Sequence, residues 1–368
     1  MNILFCYGYH PITTGFYFEK AFSVDHQLTY CGPPYKFERP GFSKNVDLSE
    51  IDGKKWDLFL YIDAYHSGFP LAIEKLSFPT ACYLIDIPYN LKQRLFVASF
   101  FDYVFIPHKE YLETFRQVNK NVFWLPFACD PEVHRCHKGV EKIYEIGFVG
   151  GVKDEKRGKI LENLSKYFKL NDFRRFYEPN KMALVYSQSK IVFNMGRRGE
   201  LNMRLFEALS CSTLLLTERS QKNGLNELFK DGDHLVEYGP KDNLREIIKY
   251  YLSNDEERER IAEVGHKLVL EKHTYWHRAQ TILGIIKETG YKQSAPMRSK
   301  SKVQVFLGYE KVYSQYIMVD SACELFAYTI VSPIYKLTSL YYILKTILKR
   351  LRQMGWRTLF IRGEKINK

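Results

Sequence analysis

No apolar run in this 368-residue sequence is long and uninterrupted enough to cross a bilayer. The most apolar stretch of the C-terminal region, 325–348, is broken by Pro333, Lys336 and Lys345. Nor do the cysteines make a disulfide framework. The seven (Cys6, Cys31, Cys82, Cys129, Cys136, Cys211 and Cys323) are odd in number and scattered, several of them inside apolar, strand-like runs. That usage suits reduced thiols in the cytoplasm. No basic leader with an apolar core is seen, so no secretory signal is expected. Neither a Walker loop ending in Gly-Lys-Ser/Thr nor a Gly-x-Gly-x-x-Gly turn occurs, and there is no short-period repeat. Cys129, His134, Cys136 and His137 fit no zinc spacing, and Asp130-Pro131 interrupts them, so no metal site is expected.

What remains is an ordinary globular composition: 45% hydrophobic, 26% charged, with 27 Tyr and 26 Phe supplying apolar area for two cores. The length matches two domains. The net charge of +12 invites a nucleic-acid reading, but it is concentrated at one end. From Lys292 onward there are fourteen Lys/Arg against four Asp/Glu, which leaves only +2 for the first 291 residues. A nucleic-acid groove through the fold is therefore not expected. A basic tail seeking phosphates or an anionic membrane surface stays open. Within it, 340–356 reads as a basic amphipathic helix.

Along the first 125 residues short apolar runs at 3–7, 27–31, 58–62, 81–85, 103–106 and 122–125 alternate with helix-length connections, including helices near 16–22 and 109–118. Near-continuous apolar strands separated in this way predict a parallel sheet covered on both faces. After a break at 126–141 the pattern restarts, with strands at 144–149, 190–194, 213–217 and 234–238. Helices follow at 156–168, 202–210, 226–229, 243–253, 255–271 and 276–289. The expected architecture is α/β, with Rossmann-like domains over 1–135 and 136–290 facing across a cleft. The remainder, 291–368, is expected to be a linker (293–302) and a basic, partly helical extension.

In such folds ligands bind at the carboxyl ends of the strands. Gly147-Phe-Val-Gly150-Gly151 ends a strand and leads to Arg157 at a helix start. Glycines admit a close approach of backbone to phosphate, free helix amides point at it, and a guanidinium bonds it in pairs. Asn202 reads as an N-cap that sets Arg204 and Glu207 in the opening turns of the next helix. There a carboxylate can accept from ribose hydroxyls while Arg204 and the helix dipole hold a diphosphate. Asn223-Gly-Leu-Asn-Glu227 is a third loop-to-helix start. His273 and His277 read as capping and packing residues.

Taken together, these segments resemble the nucleotide-sugar-binding half of a GT-B glycosyltransferase of the CgeB-like (spore-maturation-protein-like) branch, among the group 1 glycosyl transferases. The resemblance rests on Gly147-Phe-Val-Gly…Arg157, Asn202-x-Arg204-x-Phe206-Glu207-Ala208, Leu214-Leu-Leu-Thr217 and Gly224-Leu-Asn-Glu-Leu-Phe. Tyr250-Tyr-Leu-Ser-Asn, Arg258-x-x-Ile-Ala-x-x-Gly265, His273-Thr-Tyr-x-x-Arg278 and, upstream, Leu125-Pro-Phe-Ala-Cys-Asp-Pro131 complete it. It covers about residues 80–285. It implies transfer of a sugar from a nucleotide diphospho-sugar to a glycan, lipid or protein, with no metal or other cofactor required. The implied donor site is Gly150, Gly151, Arg157, Asn202, Arg204, Glu207 and Glu227. Retaining relatives place two glutamates eight positions apart, whereas position 199 is glycine and the nearest acid is Glu200. Retention and inversion therefore both stay open.

The front domain is expected to hold the acceptor, with catalytic candidates at strand ends: His10, Asp63 with His66, and Asp86. Asp86, His66 and Glu200 are the residues carried forward. Two other readings share the cleft, a nucleotide-sugar epimerase and a nucleotide-sugar-binding protein without turnover. The expected location is cytoplasmic, with the tail at the inner membrane face.

Overall fold

The apolar runs become strands with both faces covered. The computed structural model describes residues 1–9, 13–31, 48–49, 51, 55–63, 69–152 and 154–313; His10, His66 and the expected helix at 340–356 lie outside them. The front sheet contains β1 (Asn2–Cys6), β2 (Gln27–Tyr30), β3 (Leu58–Ile62), β4 (Thr80–Tyr83), β5 (Tyr103–Ile106) and β6 (Val122–Trp124). Its order is β2-β1-β3-β4-β5-β6, every pair parallel. Around it lie α1 (Thr14–Ser23), α2 (Ile87–Ala98) and the short α3 (Leu112–Arg116). The helix expected at 109–118 is a 3-10 turn followed by α3.

The rear sheet has β7 (Tyr144–Gly147), β8 (Ser189–Asn194), β9 (Leu214–Glu218) and β10 (Val236–Tyr238), parallel in the order β10-β9-β8-β7. A parallel bridge from Ile146 to Leu170 adds a rung on the other side of β7. Chain order therefore reverses at β7, and a crevice opens beyond the carboxyl ends of β7 and β8. The surrounding helices are α4 (Glu155–Leu164), α5 (Pro179–Ser187), α6 (Met203–Ser210), α7 (Leu225–Leu228), α8 (Leu244–Ser253), α9 (Asp255–Lys272) and α10 (Tyr275–Glu288).

Strand alternation divides the core. Ile3 and Phe5 of β1, with Tyr7 just after it, face one side, where they join a cluster running through α1 and α10 into the rear lobe; Leu4 and Cys6 face the other. Each such buried side chain contributes about 1.5–3 kcal/mol. The lobes are joined by two chain passages that pair side by side, Cys129 bridging Thr274. Arg278 is 5% exposed and locks that junction, donating to the carbonyls of Pro126 at 2.7 Å, Phe127 at 2.9 Å and Lys272 at 3.2 Å. Thr274 caps α10 in a reciprocal box with His277, and His273 packs against Phe206 and Phe229.

The 293–302 stretch is not a free linker. Asp102, at the start of β5, is fully buried and needs partners. It accepts from the amides of Ser294 (2.6 Å) and Ala295 (2.7 Å), from Arg298 Nη2 (2.9 Å), and from the Thr80 amide and hydroxyl. From the stretch expected to be a linker, two backbone amides and the Arg298 side chain satisfy this carboxylate. α11 (Lys302–Tyr313) then packs along α2, with the Tyr309 hydroxyl donating to Glu74 at 2.7 Å.

Candidate functional site

The crevice is a cleft of about 430 Å³. The rear lobe lines it with Val149, Gly150, Gly151, Arg157, Glu200, Asn202, Arg204 and Glu207, the front lobe with Asp86, Tyr89 and His108. Eight residues singled out from the sequence thus meet in one place. Glu227 does not line it. It is exposed and ion-pairs with Lys109 of the front lobe, whose ammonium lies 4.8 Å from the Trp124 ring centre.

Arg157 and Arg204 are held by neutral acceptors. Arg157 Nη1 donates to the Gly151 carbonyl at 2.8 Å, and its buried Nε has no partner. Arg204 Nε donates to the Val149 carbonyl at 2.7 Å and Nη1 to Asn194 Oδ1 at 2.9 Å. Both guanidiniums lie over Phe148, at 5.9 and 4.5 Å. A third, Arg197, approaches so closely that a Cβ on Gly151 would stand 3.0 Å from its Nη2. Burial lowers the Arg157 pKa from its ordinary value, and Arg204 and Arg197 lower it further. Arg157 and Arg204 are thus fixed near one another with Arg197 beside them, and among the described residues none of the three is ion-paired with a carboxylate, an arrangement that favours an anion.

Asn202 occupies the N-cap position of α6 with extended dihedrals, but its side chain makes no capping bond. Its buried Oδ1 is unpartnered at the cleft wall, so the expected cap is positional only. Glu207 lies one turn further along. Burial pushes its pKa up to about 7 against the pull of Arg204. His134 Nε2 approaches to 3.7 Å, but burial holds that imidazole down to about 4, so it is neutral at pH 7 and no ion pair forms. Its Nδ1 accepts from the Asp130 amide.

Glu200 folds back on its own loop, accepting from the amides of Arg197 (3.0 Å) and Arg198 (2.7 Å). Asp86 is left-handed at φ 53° and starts α2 without capping it. Asp63 is buried and ion-pairs with Arg94 at 2.5 Å. His108 and Arg197 were missed in the sequence. His108 follows β5 as Asp86 follows β4, so a strand-end rule applied evenly would have found it. It is 3% exposed, with an unpartnered Nδ1, and burial lowers its pKa to about 4. Among the described residues no group of three or more His, Cys, Asp or Glu is placed to hold a metal ion, and no helix is long and apolar enough to cross a membrane.

Residues 148–284 match the glycosyl transferase-like family. No curated protein sequence matches the chain significantly. Among solved structures the chain is similar to HepE from Anabaena in complex with UDP-glucose, with TM-score 0.54 and 12% identity over 78% of this chain and 100% of that one. It is also similar to HepE with UDP and glucose, at 0.53 and 12% with the same coverage. Sucrose-phosphate synthase from Thermosynechococcus elongatus follows at 0.51 and 10%, over 78% and 98%. The chain thus has the GT-B fold, and its rear lobe carries a glycosyl transferase-like domain.

Proposed function

We propose that the protein is a glycosyltransferase that moves a sugar from a nucleoside diphospho-sugar to an acceptor bound by the front lobe. The carrying observation is the convergence of Arg157, Arg197 and Arg204 on the Gly150-Gly151 turn. A diphosphate seated there would meet preplaced guanidiniums and the free amides of α6. Charge developing on the leaving diphosphate would be stabilised without a metal ion. Glu207 would accept from ribose hydroxyls. HepE, solved with UDP and with UDP-glucose, supports a uridine donor by analogy of fold.

The neutral His108 imidazole and the Asp86 carboxylate face the donor from the front lobe, where a proton acceptor for the incoming hydroxyl is needed if transfer inverts. The ensemble of motifs favours the CgeB-like branch. The basic residues beyond 313 would hold the enzyme peripherally on the inner face of an anionic membrane, and salt-sensitive vesicle binding would test that role.

A thermal-shift panel of UDP-, GDP-, CDP- and dTDP-sugars tests the reading, because stabilisation follows occupancy. One nucleotide class should raise the melting temperature of the wild type and not of Arg157→Ala. Equal shifts in both proteins would remove the diphosphate site. Release of free sugar from the stabilising donor would separate an enzyme from a protein that only binds.

A further inference from the structure

The loop between β8 and α6 carries two arginines that face in different directions. Glu200 accepts from the amides of both, and Gly199 turns the chain at φ 74°, so the backbones of Arg197 and Arg198 are tied to one carboxylate. Arg197 lies against Gly151 and lines the cleft. Arg198 is not among the cleft-lining residues. It reaches across to the front lobe, where Nη1 donates to the Pro88 carbonyl at 2.5 Å in the opening turn of α2. The Tyr89 ring stands between the lobes, 5.6 Å from the Arg197 guanidinium and 5.1 Å from that of Arg198.

We infer that Arg198 is a positioning residue whose bond to the front lobe clasps the loop and keeps Arg197 aimed at the diphosphate. The reason is electrostatic. Arg197 lies close to Arg157 and Arg204, and like charges held together repel, so an unanchored Arg197 would swing toward water in the empty protein. An anchored one is already in place when the anion arrives, and preorganisation of this kind raises affinity without adding a contact. The front lobe thereby contributes to the grip on the donor through a residue outside the donor site. The inference rests on the diphosphate reading above.

A double-mutant cycle on the full chain tests it, with calorimetric affinity for the nucleoside diphosphate that binds best among UDP, GDP, CDP and dTDP. Arg197→Ala and Arg198→Ala should each weaken binding about 10-fold, a typical size for one charged hydrogen bond. The double variant should be no weaker than Arg197→Ala alone, since Arg198 acts only through Arg197. Arg198→Lys, which keeps a charged donor for the Pro88 carbonyl, should recover part of the loss. Additive losses would overturn the clasp, as would an Arg198→Ala variant that binds like wild type while Arg157→Ala does not. Should Arg157→Ala also bind like wild type, the diphosphate reading itself fails and the clasp falls with it. Unchanged melting temperatures in both single variants keep the comparison free of folding effects.

Discussion

The Arg204 guanidinium occupies the space a Gly150 side chain would need: a Cβ built at Gly150 stands 2.0 Å from Arg204 Nη2. Glycine is required there by what packs over it as well as by its φ of 152°. Gly150→Ala should therefore dislodge Arg204 from Val149 and Asn194 while leaving the strand intact. Nucleotide affinity should fall about 10- to 100-fold, the range for a misplaced charged hydrogen-bond donor. Calorimetry on Gly150→Ala beside Arg204→Ala checks this. Similar losses in the two are expected, and wild-type affinity in Gly150→Ala would break the link.

Glu207 gives a prediction whose sign follows from burial. Its folded pKa of about 7 lies above the ordinary carboxylate value, so the native state holds a proton that the unfolded chain releases. That contribution to stability is present at low pH and is lost as pH rises through 7. Glu207→Gln should accordingly stabilise the empty protein at pH 8 by about 1–3 kcal/mol, with the gain shrinking toward pH 5. Urea titrations at the two pH values measure it. Ribose hydroxyls donate best to the ionised form, so nucleotide binding near pH 7 should release a proton. Calorimetry in buffers of different ionisation enthalpy would detect that proton in wild type and not in Glu207→Gln.

Much of the rear half of the cleft was legible because its information is local. The Gly150-Gly151 turn and Arg157 sit where β7 hands over to α4, and Arg204 and Glu207 lie in the first two turns of α6. α2 and α5 were missed although each carries a proline in its first turn, Pro88 and Pro179, which marks a helix start; α2 also breaks helical geometry at Asn90. Arg197 was missed because its surroundings are set from the other lobe, more than 100 positions away: its guanidinium lies over the Tyr89 ring, and its neighbour Arg198 bonds the Pro88 carbonyl. The docking of 293–302 depends on Asp102, whose burial no local pattern announces. Contacts made between lobes are tertiary facts, and hydrophobic periodicity carries no trace of them.

His108 gives a prediction in which donor binding and transfer part ways. Held neutral with a pKa of about 4, it lines the cleft with its Nδ1 buried and unpartnered, and it does not titrate between pH 6 and 8. His108→Ala should lower transfer at least 10-fold while nucleotide affinity stays within about 2-fold, because the residue belongs to the front wall. The wild-type pH profile between 6 and 8 should follow Glu207 and flatten in Glu207→Gln. A profile that flattens in His108→Ala would assign the titration to the histidine and contradict this arrangement.

The tie between Asp102 and Arg298 concerns stability at a distance from the chemistry. Asp102 lies at the amino end of β5, whereas the cleft opens at the carboxyl ends of the strands. Asp102→Ala strands the Arg298 guanidinium and the amides of Thr80, Ser294 and Ala295 at once, and removing one partner of a buried pair costs about 3–5 kcal/mol. The cost should appear as a lower urea midpoint and as faster proteolysis within 291–313, since the strap loses its anchor. Asp102→Asn keeps acceptors for some of the donors and should fall between the two. Nucleotide affinity per folded molecule should stay at the wild-type value in both variants. If instead affinity falls with stability, the strap reaches the cleft through α11 and α2, and the C-terminal segment acts on the site as well as on the fold.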